Sequence, residues 1–334
     1  MKIRRLGPFD VSAIGLGCMS LSHAYGDPPP EAEAARLLHQ ALDVGYTFLD
    51  TASVYGLGHN ETLIGQTLKA RRDEFILASK CGLGPNAEGR RELSGRPEDI
   101  RRSCDDSLRR LQVEIIDLFY LHRMDRRVPI EESVGALGDL VRAGKVRAIG
   151  LSEVGAETLR RGHAEYPVTA LQSEYSLWTR NPEVATLATC AELGVAFVAF
   201  SPVGRGLLTG SPPDPTQFRP TDIRKDMPRF QGNAWAANLG LQDQLAGVAN
   251  RVGCTPAQLA LAWTLSRGAH VIPIPGTSNI DHMVENAEAA DVSLSPAVLE
   301  ELDTLINART VAGARYSATA QATVDTEEVP PEER

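Results

Sequence analysis

The sequence predicts an α/β chain closed as a (β/α)8 TIM barrel, and three observations lead there. Short apolar runs alternate with stretches of helical period along most of the chain, the mark of parallel βαβ units. The runs number about eight, which suits a closed barrel better than an open doubly wound sheet. No GxGxxG opens the first helix, so the usual dinucleotide fingerprint of an open sheet is missing. A length of 334 residues is ordinary for one such barrel with insertions.

In chain order the runs read SAIGLG, YTFLD, FILASK, IIDLFYLH, VRAIGLS, TALQSE, VAFVAF and HVIPIPG. Between them lie amphipathic faces: Ala34, Leu37, Leu38 and Ala41; Ile100, Cys104, Leu108 and Leu111; Ile130, Val134, Leu137 and Val141. Asn181–Pro182, Thr255–Pro256 and Ser295–Pro296 each set a capping residue before a proline, a helix-start signal. Two segments break the alternation. Residues 201–232 carry glycines, prolines and the basic cluster IRKDMPRF, a long loop after the seventh strand of the kind that usually carries function. Residues 1–310 are expected to form a single barrel domain. Residues 311–334 form a C-terminal tail over the mouth, whose acidic, proline-containing end VDTEEVPPEER is expected to be mobile.

Composition narrows the partners. At 43% hydrophobic residues the chain can bury a sizeable core. A net charge of −9 argues against nucleic acid and against an anionic membrane. The five cysteines are widely spaced, without a CxxC pair, which suits reduced thiols in a cytoplasm. The N-terminus lacks the apolar core of a signal peptide, and no run approaches the ~20 apolar residues of a membrane span. The seven histidines are scattered without metal-ligand spacing, so no metal site is expected. The expectation is a soluble cytoplasmic protein acting on a small molecule. The sequence carries no signal of oligomeric state.

Four residues carry the chemistry. Asp50, Lys80 and His122 end the second, third and fourth runs, and Tyr55 lies just past the second. Parallel strand ends meet around one mouth of a barrel. Singly, each has an ordinary reading, as a cap, a loop aromatic, a surface lysine or a core histidine. Together they favour a proton-donating site. A free tyrosine, with a pKa of about 10, is a poor acid near neutrality, and a neighbouring ammonium lowers that value. A carboxylate keeps the buried ammonium charged. A neutral imidazole donates to a carbonyl oxygen as charge grows there. None of the four supplies hydride, so carbonyl reduction here needs a cofactor.

These residues sit in strings that closely resemble the aldo-keto reductase superfamily from about Ile14 to Asp303: FLDTASVYGLGHNETLIG, FILASKCG, LFYLHRMD, GKVRAIGLSE, LQSEYSLW, AFSPVGRGLLTG and IPGTSNIDHMVEN. GLGCMSLS, SEYSLWTR and SPVGRGLLTG look most like its bacterial and fungal subgroup of pyridoxal reductase-like and other aldehyde reductases. The resemblance implies an NADPH-dependent carbonyl reductase, with NADH as the alternative cofactor. By resemblance Tyr55 is the general acid, Lys80 and Asp50 tune it, and His122 orients the carbonyl. Ser152 and Gln172 match the holders of the nicotinamide carboxamide, and Phe200 the ring that stacks on it. Ser201, Val203, Gly204 and Arg205 match the pyrophosphate loop. Gly276, Thr277, Ser278, His282, Glu285 and Asn286 match the lip around the adenosine.

The chain departs from the family pattern at three places. Phe200 stands where tyrosine is common, Glu153 follows Ser152 where asparagine is common, and Ser278 and Asn279 occupy the positions where close relatives often carry lysine and arginine. The last departure weakens the expected grip on a 2′-phosphate. Met19, Tyr25, Met124, Trp178 and Phe230 are candidate walls of an apolar substrate pocket. Two other readings compete: a cofactor-sensing barrel with little turnover, and a Schiff-base aldolase using Lys80.

Overall fold

The computed structural model of the chain describes residues 1–85 and 91–330. Eight parallel strands form the barrel: β1 (Leu16–Gly17), β2 (Phe48–Asp50), β3 (Ile76–Cys81), β4 (Ile116–Leu121), β5 (Val146–Ser152), β6 (Ala170–Glu174), β7 (Ala196–Phe200) and β8 (Val271–Ile274). Each pairs with the next in sequence. Seven of the eight runs read from the sequence contain their strands, and the third, FILASK, stops one residue short of the end of β3 at Cys81.

The first and last strands meet through a parallel bridge between Gly17 and Gly276. Gly15 N donates to Pro273 O at 3.0 Å and Gly17 N to Pro275 O at 3.1 Å. Only glycine fits this closure. A Cβ on Gly17 would stand 2.8 Å from the Ile274 carbonyl oxygen, and one on Gly276 2.9 Å from that of Gly17.

The barrel interior is filled by Phe48, Leu118, Tyr120, Val198 and Ile272 with a set of alanines. Gly150 makes room for Tyr120, whose ring lies 2.3 Å from where a Cβ would be. An N-terminal hairpin, Ile3–Leu6 with Phe9–Ser12, contributes Leu6 and Val11 to the same cluster. Sequence reading misses this hairpin because IRRL carries charge where a strand would alternate.

Six helices follow the first six strands: α1 (Glu31–Val44), α2 (His59–Leu68), α3 (Pro97–Leu111), α4 (Ile130–Arg142), α5 (Ala156–Glu165) and α6 (Thr186–Leu193). Their predicted apolar faces pack between helix and strand. Four more follow: α7 (Gly232–Val252), α8 (Pro256–Ser266), α9 (Ile280–Glu288) and α10 (Pro296–Leu305). Thr255 and Gln258 form a capping box on α8, and Ser295 caps α10. Asn181 is different. It opens a 3-10 turn ahead of α6, and its amide donates to Glu327 O at 2.9 Å instead of capping an α-helix.

The 201–232 loop holds three short 3-10 turns before α7. The C-terminal segment runs over the mouth. Asp325 and Glu327 bring two carboxylates to the α5 N-terminus, where they accept from Gly155 N at 3.1 Å and Ala156 N at 2.6 Å. The stretch expected to be mobile therefore begins docked, and residues 331–334 lie outside the described residues. Among the described residues no helix is long and apolar enough to cross a membrane.

Candidate active site and nucleotide cleft

Asp50 ends β2, Lys80 is the penultimate residue of β3, and His122 directly follows β4. Tyr55 opens a short turn in which Gly56, Leu57 and Gly58 all have left-handed φ. The buried Asn60 fixes this turn. Its amide donates to Cys18 O at 2.9 Å and Ser22 Oγ at 2.8 Å, and its oxygen accepts from Thr51 at 2.6 Å. The loops after β1 and β2 are thereby held as one piece.

Lys80 is fully buried. Its Nζ donates to Asp50 Oδ1, to Thr51 O at 2.8 Å and to the Tyr55 hydroxyl at 3.3 Å. The His122 ring stands edge-on to the Tyr55 ring, centroids 5.9 Å apart. The four residues predicted from sequence do converge.

Their electrostatics differ in one respect from the expectation. Burial drives the Tyr55 hydroxyl above its ordinary pKa, and this outweighs the lowering by the Lys80 ammonium. Tyr55 therefore keeps its proton at neutral pH. Burial alone would push Lys80 down, but Asp50 and Tyr55 reverse it and the net shift is upward. Burial also pushes Asp50 up. Both hydrogen-bond partners of that carboxylate, Lys80 Nζ and Gln172 Nε2 (2.7 Å), are donors, so the pair is ionic near neutrality.

These groups open into a cleft of about 1090 Å³ that reaches α9. Asp50, Tyr55, His122, Ser152, Gln172, Phe200, Ser201, Val203, Arg205, Gly276, Thr277, Ser278, His282, Glu285 and Asn286 line it, as do Met19 and Tyr25. Lys80 lies beneath the floor, and Gly204 is buried behind the wall. The remaining substrate candidates lie off the cleft. Trp178 is in the core, Met124 packs against that core, and Phe230 stacks on Trp235 at 5.7 Å. Apolar loop residues were drawn inward by packing, which sequence spacing cannot distinguish from a pocket.

Sequence reasoning missed other wall residues. His23 lies 5.5 Å from the Tyr55 ring, and Arg123 borders both His122 and Ser152. Tyr316, Ser317, Ala320 and Val324 of the C-terminal segment also face the cleft. The HRMD string was a usable signal for Arg123, since it directly follows His122. Nothing local marked the tail residues.

A buried ionic network holds that tail. Arg315 pairs with Glu153, and its Nε lies 3.1 Å from Glu174. Arg205 donates to Glu174 at 2.8 Å, to Tyr316 at 3.0 Å and to Tyr25 at 3.2 Å. Burial would raise the Glu174 carboxyl, but Arg205 and Arg315 hold it far below the usual range. The unusual Glu153 thus turns away from the cleft and anchors the tail. Arg205, expected to offer charge to a pyrophosphate, already has a carboxylate partner. Arg224 is likewise paired with Asp222 at 2.6 Å, and Arg229 is committed to Trp178 O and Thr179, both at 2.8 Å. Burial and the neighbouring arginines push Arg229 down to about 10.

The cleft fits an extended dinucleotide. Ser20 Oγ is buried at its wall without a protein partner, beside the Gly17–Gly276 closure. The cleft lining includes the hydroxyl and amide side chains of Ser152, Gln172, Thr277, Ser278 and Asn286. The sequence pattern of the Aldo/keto reductase family matches residues 13–307. The chain belongs to the aldo/keto reductase family.

Relatives agree. Probable aldo-keto reductase 1 of Glycine max is 44% identical over 310 residues, covering 92% of this chain and 89% of its own. The glycerol dehydrogenase of Gluconobacter oxydans superposes with a TM-score of 0.84 at 30% identity, over 92% of this chain and 96% of its own. An aldo/keto reductase from Klebsiella pneumoniae, solved in complex with NADP and acetate, superposes with a TM-score of 0.72 at 28% identity, over 95% and 99%. Family membership supports an oxidoreductase that uses a nicotinamide cofactor on small carbonyl compounds.

Proposed function

We propose that this protein reduces an aldehyde or ketone to an alcohol, with Tyr55 as proton donor and NADPH as cofactor, NADH being accepted as well. One observation carries the reading: the Tyr55 hydroxyl, 3.3 Å from Lys80 Nζ, lines the cleft beside His122. When bound, such a cofactor would supply the hydride that carbonyl reduction needs. Ser152 and Gln172 would hold its carboxamide, Phe200 its ring face, and the Glu285–Asn286 side of α9 its adenine end.

The protein's own groups do the rest. A carbonyl oxygen within reach of Tyr55 Oη and His122 gains two donors as its negative charge grows. Tyr55 releases its proton to that oxygen, and Lys80 stabilises the phenolate left behind. Asp50 keeps Lys80 charged and turned toward Tyr55. The C-terminal segment and the 201–232 loop both contribute walls to the cleft.

The aldolase alternative has little support. A Schiff base requires a free amine at the cleft surface, whereas Lys80 is buried, raised in pKa and bound to three acceptors. A screen of aldehydes, ketones, sugars and pyridoxal with NADPH and NADH, following cofactor oxidation, tests the reading. Many turnovers per site are expected with at least one class. One turnover or none across the panel would instead favour a cofactor-sensing protein.

A further inference from the structure

Three arginines line the cleft, and two have carboxylate partners: Arg205 with Glu174 and Arg224 with Asp222. Among the described residues, Arg123 has none. One of its nitrogens, Nη1, donates to His122 O at 2.6 Å and to Ser152 Oγ at 3.3 Å. Its Nε and Nη2 edge makes no hydrogen bond to the described residues. That edge is the planar fork that matches two carboxylate oxygens. Arg123 flanks His122, is half-buried, and lies close enough for its charge to act on Tyr55. A cation kept beside the reacting groups without a counter-ion costs desolvation unless a ligand supplies the charge.

We propose that Arg123 is a specificity-determining residue that binds the carboxylate of the substrate, so that this enzyme favours carbonyl compounds carrying a carboxylate. The proposal rests on the reductase reading and deepens it. It places one end of the substrate at Arg123 and the carbonyl at Tyr55 and His122. Neutral aldehydes still reach Tyr55, without the charge-assisted contact.

The test compares wild type, Arg123→Met and Arg123→Lys on 4-carboxybenzaldehyde and benzaldehyde. Benzoate and benzamide binding to the protein with NADP⁺ is measured by calorimetry in parallel. Wild type should show the higher kcat/KM on the carboxylated aldehyde. Arg123→Met should cut the charged-to-neutral ratio by roughly 10- to 100-fold, mostly through KM. Arg123→Lys should keep part of the preference, since it retains charge but loses the fork. Benzoate binding should weaken in step, with benzamide binding little affected. A wild-type ratio at or below one, or a ratio and benzoate affinity equal in wild type and Arg123→Met, overturns the proposal and leaves Arg123 a support for His122. If wild type reduces neither aldehyde yet loses benzoate affinity on Arg123→Met, the carboxylate site stands and the reductase reading falls.

Discussion

Lys80 Nζ stands 3.3 Å from the Tyr55 hydroxyl, yet Tyr55 is the more firmly protonated for being where it is. Burial acts on the phenol more strongly than the ammonium does. The pair therefore stores a proton at neutral pH and lowers the cost of giving it up only when a carbonyl oxygen is ready to take it. Removing that proton is the direct test. Tyr55→Phe keeps the ring and its contacts with His23 and His122. Turnover should fall by about 10²–10⁴-fold or more, the range for a general acid, with cofactor affinity largely kept. Near-normal turnover in this variant would remove Tyr55 from its role.

Lys80→Met should act on both rate and stability. Without the ammonium, Asp50 is buried with only Gln172 as its donor. Breaking a buried pair from one side costs about 3–5 kcal/mol, readable as a lower denaturation midpoint in urea. Tyr55, losing the cation that lowers its pKa most, becomes a weaker acid, and turnover drops. Asp50→Asn in the same background should recover part of the stability and none of the rate. Unchanged stability and rate in Lys80→Met would make the lysine incidental.

The alkaline side of the wild-type profile follows from the same pair. Tyr55 and Lys80 both have raised values against ordinary ones of 10.0 and 10.5. The stability Lys80 contributes is whole below its unfolded value and is lost as pH rises through its folded one. The phenol likewise stays protonated past its ordinary value. Carbonyl reduction by the free enzyme should therefore show no loss of kcat/KM assignable to Tyr55 between neutrality and about pH 10. A Tyr55-dependent fall near pH 7–8, absent from a residual-activity profile of Tyr55→Phe, would contradict a net upward shift.

Much of this was legible in the sequence, for physical reasons. Parallel strands buried on both faces read as continuous apolar runs, so FILASK and VAFVAF could not be missed. Three of the four candidate residues sit at or directly after strand ends and Tyr55 just past one, where chain position predicts spatial convergence. The walls were harder. Trp178 and Phe230 look like pocket residues by type but pack inward, whereas Tyr316 reaches the cleft through a segment with no periodicity at all. From sequence, Glu153 was only a departure from the family pattern beside Ser152. Its φ of 56° and its pairing with Arg315 give it another use, which only the folded tail reveals.

That tail yields a further expectation. Among the described residues, Arg315 is the one cation paired with both Glu153 and Glu174, each almost wholly buried. Arg315→Met leaves Glu153 without an ionic partner among the described residues and should cost about 3–5 kcal/mol if the whole fold feels it. If only the tail does, residues 311–330 should become open to protease while the barrel's melting temperature holds. Glu174, depressed by its arginines, contributes stability that is present above its unfolded value and lost as pH falls through the folded one. Acid should thus loosen the tail in the variant at a higher pH than in wild type. Equal protease resistance and equal acid response in the two proteins would mean that the Arg315 pairings are not what holds the tail.

The cofactor prediction turns on the lip. Among the described residues, no lysine or arginine lines the cleft at its α8 and α9 end, where Thr255, Thr277, Ser278, His282 and Glu285 stand. The first amides of α9 are also spoken for, since Asn279 Oδ1 accepts from Asp281 N at 2.7 Å and His282 N at 3.2 Å. Thr277 Oγ1 accepts from Asn279 N at 3.0 Å. A 2′-phosphate therefore meets Ser278, the imidazole of His282 and little else, without the charge-assisted contacts that arginine gives. NADPH should be used with weak discrimination against NADH. The exposed Ser278 is the position to change, because Asn279→Arg would also remove the α9 cap, a loss of about 1 kcal/mol. Ser278→Arg should tighten NADPH binding by roughly 10-fold and leave NADH nearly unaltered, as read by fluorescence titration of both cofactors. A wild-type preference for NADPH of several orders of magnitude would defeat this reading of the lip and require a cation from elsewhere to reach the phosphate once cofactor is bound.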